Sequence, residues 1–341
     1  MIRYPRPVRP GDTIGVTAPS SGVADELRPR LDVALEHLAA LGLRTRLGRC
    51  LDGTGVVSAP ARDRAAELDA FVRDPDVRAV VPPWGGEIAM DLLPWVDWDA
   101  WAQDPTWLVG FSDISTLLLP LTVLTGVATV HGQNLMDTPY RVPAPMLPWT
   151  EVVTTPPGGV LVQGAARAYR AQGFDDWVSD PGVTVPTFDT PGEGWVRVDG
   201  PGDVDVQGRL IGGCLETVAH LAGTPFGDVP RFAREHAPEG LVVYLESAGS
   251  DAYDVTRRLL GLRYAGWFEA ASAVLLARTR GPELPGHTHR DAARTALGDL
   301  GVPVLTDVDC GHVPPHLALV NGALARVTHT PSVSRIEQHL V

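Results

Sequence analysis

Ser112 stands two residues beyond a short apolar run that ends at Gly110, and Asp113 and Ser115 open an apolar segment with helical spacing that continues to Leu121. A strand that stops sharply and turns into a helix lifts its turn serine out of the backbone. The helix N-terminus beside it offers unpaired N–H groups and partial positive charge. A nucleophile and half of an oxyanion site can come from one such turn. The pattern is that of a nucleophile elbow, with Ile114 where G-x-S-x-G has its last glycine.

Acyl transfer by serine also needs a base to take its proton and an acid to orient that base. His312, in Cys310-Gly-His-Val-Pro314 beyond the apolar run Val302–Leu305, is the candidate base. Glu246, after the run Leu241–Leu245, is the candidate orienting carboxylate. Each has a plainer reading alone: a helix-capping serine, a packed loop histidine, an acid capping the next helix. Only their meeting in space makes a triad. His287 and His289 form a His-x-His pair, but no third ligand with recognisable spacing follows, so no metal is expected. Cys310 lies two residues before His312 on an extended segment and is expected in the core. Glu216 reads as an acid in the first turn of a helix.

The composition narrows the classes. The 341 residues hold 44% hydrophobic and 20% charged residues, an ordinary globular balance with length for two domains. There is no lysine: all 28 basic residues are arginine, so Schiff-base, Ser-Lys and P-loop lysine chemistry are excluded. The net charge of −13 argues against a nucleic-acid partner. Cys50, Cys214 and Cys310 are too scattered for a disulfide framework and point to a reducing, cytoplasmic setting. No apolar run is long enough for a membrane span.

The elements that must position these residues alternate. Strands are expected at 12–18, 44–49, 77–83, 107–110 and 127–131. Helices are expected over 61–72, after Ser112, and over a segment with Leu27, Leu31, Leu35 and Leu38 on one face. This implies a parallel sheet with helices on both faces and a site at the carboxyl ends of its strands. Residues 138–205, rich in Pro, Gly and Asp, read as an irregular connection. The pattern resumes from Val206 with strands at 208–213, 240–245, 271–277 and 302–305, a strand or hairpin over 317–327, and helices at 215–221, 252–262 and 290–300. The domains are therefore 1–137 and 206–341.

Gly85-Gly86, Gly110-Phe-Ser-Asp113, Gly208-Arg-Leu-Ile-Gly-Gly213, Leu245-Glu246 and Asp309-Cys-Gly-His312 occur in one order. Together they resemble the LD-carboxypeptidase family of serine peptidases, over about Arg9 to Val327. That family includes murein tetrapeptide carboxypeptidases and microcin C immunity peptidases. The resemblance implies a flavodoxin-like, doubly wound N-terminal α/β domain, a swivelling C-terminal β/α domain and an active site between them. It implies a Ser112–Glu246–His312 triad, an oxyanion hole from the N–H groups of Asp113 and Gly86, no cofactor, and a homodimer. Its substrates are peptides or peptidyl or aminoacyl nucleotides with a free carboxylate near the scissile amide. The run Gly85-Gly-Glu-Ile-Ala-Met-Asp-Leu-Leu-Pro-Trp-Val-Asp97 and Asp307-Val-Asp-Cys-Gly-His312 resemble the microcin-immunity branch more closely, in which an aromatic residue of the connection stacks on the base. Trp177 and Trp195 are candidates for it. Gly85 and Glu87 are further substrate-binding candidates, Glu87 as a selector of a cationic group. The rival expectation is a two-lobed small-molecule binding protein without catalysis. An oxidoreductase reading lacks the G-x-G-x-x-G it needs.

Overall fold

Buried strands alternating with one-sided helices build the first lobe. The computed structural model describes residues 1–52 and 55–341. In chain order the lobe contains β1 (Thr13–Val16), α1 (Arg28–Ala40), β2 (Arg44–Leu47), α2 (Ala61–Val72), β3 (Val77–Val80), α3 (Trp98–Gln103), β4 (Trp107–Gly110), α4 (Ser115–Thr125) and β5 (Thr129–His131). The strands run β2-β1-β3-β4-β5, all parallel, which is the flavodoxin-like order. β1 and β4 bury every residue, as parallel strands covered on both faces do. Helix α1 buries Leu31 and Leu38 as expected, but Leu35 is half-buried, as is Leu27 just before the helix, and Arg30 and Ala34 complete its inner face.

Helix α4 buries nine of its eleven residues. It packs on β4 and β5 and also against the second lobe, so it has no solvent face to make polar. The apolar run after Ser112 is therefore the wedge between the lobes. Gly126, with φ 68°, ends it in the left-handed conformation that suits glycine.

The second lobe begins earlier than the sequence suggests. Residues 138–205 hold α5 (Trp149–Thr154), β6 (Val160–Gly164), the small pair β7 (Ala168–Tyr169) and β8 (Thr190–Pro191), β9 (Val196–Arg197) and the start of β10 (Val204–Cys214). The expectation of an irregular connection is corrected there: β6 and β9 are the two edges of the C-terminal sheet. Then follow α6 (Leu215–Val218), α7 (Val229–His236), β11 (Leu241–Glu246), α8 (Ala252–Tyr264), β12 (Ala271–Ala277), α9 (His289–Leu297), β13 (Val304–Val308), β14 (Leu319–Asn321), β15 (Leu324–Thr330) and β16 (Val333–His339). The eight strands run β6-β16-β15-β10-β11-β12-β13-β9, with β10 to β13 parallel and the flanks antiparallel.

Two features weld the lobes. Strand β14 pairs antiparallel with β5, placing Leu319 opposite His131, so the first sheet is closed by a strand from the second half of the chain. Buried Asn321 accepts from the Gly212 N–H at 3.1 Å and the Tyr244 hydroxyl at 2.9 Å, and its own amide donates to Thr129 at 3.1 Å. Among the described residues no helix is long and apolar enough to cross a membrane.

Gly212 tests how tightly β10 seats β11. A Cβ there would lie 1.7 Å from the Tyr244 carbonyl oxygen, so Gly212→Ala must displace backbone two residues from Glu246. It is expected to lower stability in urea unfolding by roughly 1–3 kcal/mol, the usual range for overpacking. An unchanged unfolding midpoint would show that the strands have slack.

Candidate active site

The turn after β4 is strained. Ser112 has φ 62°, a left-handed conformation that costs a residue with a Cβ of order 1–3 kcal/mol. Asp113 holds it there. Its buried carboxylate accepts the Ser20 hydroxyl at 2.6 Å, the Ala89 N–H at 2.8 Å and the Thr116 hydroxyl at 3.2 Å. These bonds tie the elbow to the loop after β1 and to the glycine turn. Gly85 crosses the serine so closely that a Cβ would sit 2.8 Å from Ser112 Oγ. Only glycine permits that approach.

His312 comes from the loop after β13 and Glu246 from the end of β11. His312 Nε2 lies 3.0 Å from Ser112 Oγ, and Nδ1 lies 2.7 Å from Glu246 Oε2. The Glu246 side chain has no exposed surface. Burial alone would raise its carboxyl; facing His312 and His131 override that and hold it well below the usual carboxylate range. Burial likewise opposes a proton on His312, but Glu246 prevails and the imidazole titrates above its ordinary value. His131 Nε2 stands 3.7 Å from the other oxygen, Oε1, too far for a hydrogen bond. Phe111 packs against the His312 ring with centroids 5.0 Å apart and against His316 at the same distance. Burial pushes His316 down to about 3, so a neutral ring flanks the pair.

Ser112, His312, Gly85, Gly86 and Trp177 line one cavity of about 370 Å³ at the junction of the lobes. Trp177 donates its indole N–H to the Tyr140 hydroxyl at 2.8 Å. Two sequence candidates fall elsewhere. Trp195 is 2% exposed in the core of the C-terminal sheet, where its indole N–H donates to Asp309 at 3.1 Å, so it cannot meet a ligand in the cavity. Glu87 is exposed beyond the turn at Gly86 and lies outside the cavity lining. His287 Nε2 bonds the Thr256 hydroxyl at 2.8 Å and His289 Nε2 the Gly281 carbonyl at 2.9 Å. Cys310 is fully buried.

Sequence reasoning missed several neighbours. Cys214, Glu246 and His312 each bring a possible ligand atom within 4.8 Å of the others. The Cys214 thiol donates to Glu216 at 3.4 Å, and burial keeps it well above its ordinary value. Glu216 accepts the hydroxyls of Ser247 and Ser250, each at 2.7 Å, and so braces the loop after Glu246. Asp137, Tyr140, Arg141, Phe174 and Phe188 form much of the cavity wall. The aromatic residues scattered through 138–205 were the one sequence sign of it.

Fold and site together define a two-lobed α/β protein with a serine, a histidine and a buried glutamate linked across its cleft. The LD-carboxypeptidase N-terminal domain matches residues 14–132 and the LD-carboxypeptidase C-terminal domain matches residues 207–327. A relative from Streptomyces coelicolor that carries a carboxypeptidase name is 30% identical, over 94% of this chain and 93% of that one. The microcin C7 self-immunity protein MccF of Escherichia coli is 24% identical, over 98% and 96%. The solved wild-type MccF structure superposes with a TM-score of 0.81 at 22% identity, covering 98% of each chain. The muramoyltetrapeptide carboxypeptidase from Oxalobacter formigenes gives 0.69 at 20% identity, over 96% and 98%. The chain belongs to the LD-carboxypeptidase family, a family of serine carboxypeptidases.

The Glu246 pair has a pH signature. A carboxyl whose folded pKa is depressed adds stability above its unfolded value, near 4.3, and loses it as pH falls toward the folded value. Glu246→Gln is therefore expected to be less stable than the parent at neutral pH, with the gap narrowing below about pH 4. Urea unfolding of both proteins across that range checks it. A gap independent of pH would remove the charge from the account.

Proposed function

We propose that the chain is a serine-type, carboxypeptidase-like amide hydrolase with Ser112, His312 and Glu246 as its triad. The observation that carries this reading is the continuous chain of contacts from Ser112 Oγ through one imidazole to a fully buried carboxylate, at 3.0 and 2.7 Å. The three residues come from separate elements, with His312 separated by 200 positions from Ser112 and by 66 from Glu246.

His312 Nε2 takes the Ser112 proton as Oγ attacks the amide carbonyl. The N–H groups of Asp113 and Gly86 receive the oxyanion, each worth about 3 kcal/mol in the transition state. Among the described residues neither N–H has another hydrogen-bond acceptor. His312 then hands the proton to the leaving amine. Water, deprotonated by the same imidazole, releases the acyl group and restores the serine. Glu246 fixes the tautomer with hydrogen on Nδ1 and stabilises the imidazolium. Gly85 supplies the space above Ser112.

The substrate class we propose is a peptide, or a peptidyl or aminoacyl nucleotide, with a free carboxylate near the scissile bond. MccF structures hold glutamyl sulfamoyl guanosine and aspartyl sulfamoyl adenosine. Trp177 offers a flat apolar face in the cavity for such a base. A murein peptide is the other member of the class, by likeness to the muramoyltetrapeptide carboxypeptidase. The three free, buried cysteines fit a cytoplasmic protein, and the family reading carries a homodimer, which sedimentation would test.

Ser112→Ala is expected to cut hydrolysis of a murein tetrapeptide or an aminoacyl sulfamoyl adenosine by about 10⁶-fold, and Glu246→Gln by about 10⁴-fold. Circular dichroism should stay unchanged. Hydrolysis that persists in Ser112→Ala would overturn the assignment and favour the two-lobed binding protein.

A further inference from the structure

Asp137 is the acid in the cavity that no charged side chain pairs with; the Asn134 backbone N–H is the one donor that favours its charged form. It ends the single turn Leu135–Asp137 after β5, half-buried, and lines the same cavity as Ser112 and His312. Among the described residues its carboxylate makes no ion pair and accepts no side-chain hydrogen bond. The other acid of the cavity, Asp175, is paired with Arg170 and accepts the Tyr140 hydroxyl at 2.7 Å. Asp113 has three donors. A carboxylate largely taken out of water without a charged partner is costly, and such a cost persists where a ligand supplies the partner.

The nearby cations are held mainly by other groups, although Arg30 Nη2 is buried with no hydrogen-bond partner among the described residues. Arg30 reaches from α1, fully buried, and donates to the carbonyls of Met136 at 2.8 Å, Pro181 at 2.9 Å and Val183 at 2.6 Å. Its guanidinium lies between the rings of Tyr140 and Trp177, 4.8 and 4.9 Å from their centroids. It therefore fixes the wall of the cavity and forms no ion pair with Asp137. His312 is held by Ser112 and Glu246. Arg141 and His316 also line the cavity, and neither pairs with Asp137. Burial pushes the Asp137 carboxyl up to about 7, against the opposing charges of Arg30 and His312. The group thus sits neutral or charged according to what is brought to it.

We propose that Asp137 receives a primary ammonium group of the substrate close to the scissile amide, and so restricts the site to substrates whose amine there is free. This rests on the hydrolase reading of the cavity. It assigns to Asp137 the cation-selecting role that sequence alone placed on Glu87. Two chemistries qualify: the α-amine of an aminoacyl nucleotide, or the side-chain amine of a diamino acid in a peptide.

The test is calorimetric binding to Ser112→Ala, which needs no turnover. The probes are glutamyl sulfamoyl adenosine and a diamino-acid tetrapeptide, each with its N-acetylated form at the amine in question. Acetylation of one probe should weaken binding at least about tenfold, and that probe identifies the amine used. Affinity for the free amine should rise between about pH 5 and pH 7 as Asp137 ionises. In Ser112→Ala/Asp137→Asn, both the discrimination and the pH dependence should vanish. Discrimination that survives Asp137→Asn, or is absent for both probes before it, overturns the proposal. Loss of the hydrolase reading is seen separately, as absence of turnover by the unmutated protein. A ligand-free readout accompanies it. An acid with a raised folded pKa costs stability as pH climbs past its unfolded value. Asp137→Asn alone should therefore melt higher than the parent at about pH 8 and level with it at about pH 4. A variant that melts lower at about pH 8 would mean the carboxylate has a structural partner, and the proposal falls.

Discussion

A carboxylate without exposed surface has to be faced by positive charge, and Glu246 is such a group at the carboxyl end of a central parallel strand. His312 meets it. The approach is tight enough that a Cβ on Gly311 would fall 2.2 Å from Glu246 Oε2. Buried ion pairs seldom add net stability, because desolvation offsets attraction. What this one provides is orientation. It fixes which imidazole nitrogen points outward, raises the basicity of that nitrogen, and aims it at Ser112 in the other lobe.

That aim has value only if the lobes keep register, and the connections between them are buried and specific. Helix α4 is packed on both sides, and β14 completes a sheet to which the rest of its own lobe does not belong. Ser115, one turn beyond Ser112, accepts the Cys214 N–H at 3.0 Å across the junction. The elbow and the strand next to Glu246 are thus bonded directly. The strain at Ser112 is held by Asp113 on one side and by this junction on the other.

Much of this was legible in the chain. Helix α2 was expected over 61–72 and spans Ala61–Val72, because its pattern is local and Asp74-Pro75 stops it. The β4 turn was legible because glycine, serine and a helical apolar run each leave a local mark. The meeting of Ser112, His312 and Glu246 had no local mark, and the family resemblance supplied it. The edge strands β6 and β9 were missed because their pairing partners, β16 and β13, lie more than a hundred residues away. Trp195 misled for the same reason: its burial depends on Asp309, far along the chain. Asp137 gave no signal, since a lone acid in a loop is ordinary until the cavity around it is seen.

The central claim is that His312, tuned by Glu246, activates Ser112. The most direct test is the rate at which a fluorophosphonate labels the protein as a function of pH, with the modified residue located by peptide mass. The account predicts one labelled residue, Ser112, at a rate that rises with a single titration above the ordinary imidazole value of 6.5. That titration should move downward in Glu246→Gln. Labelling at another residue, or labelling of Ser112 at a rate indifferent to replacing His312, would contradict it.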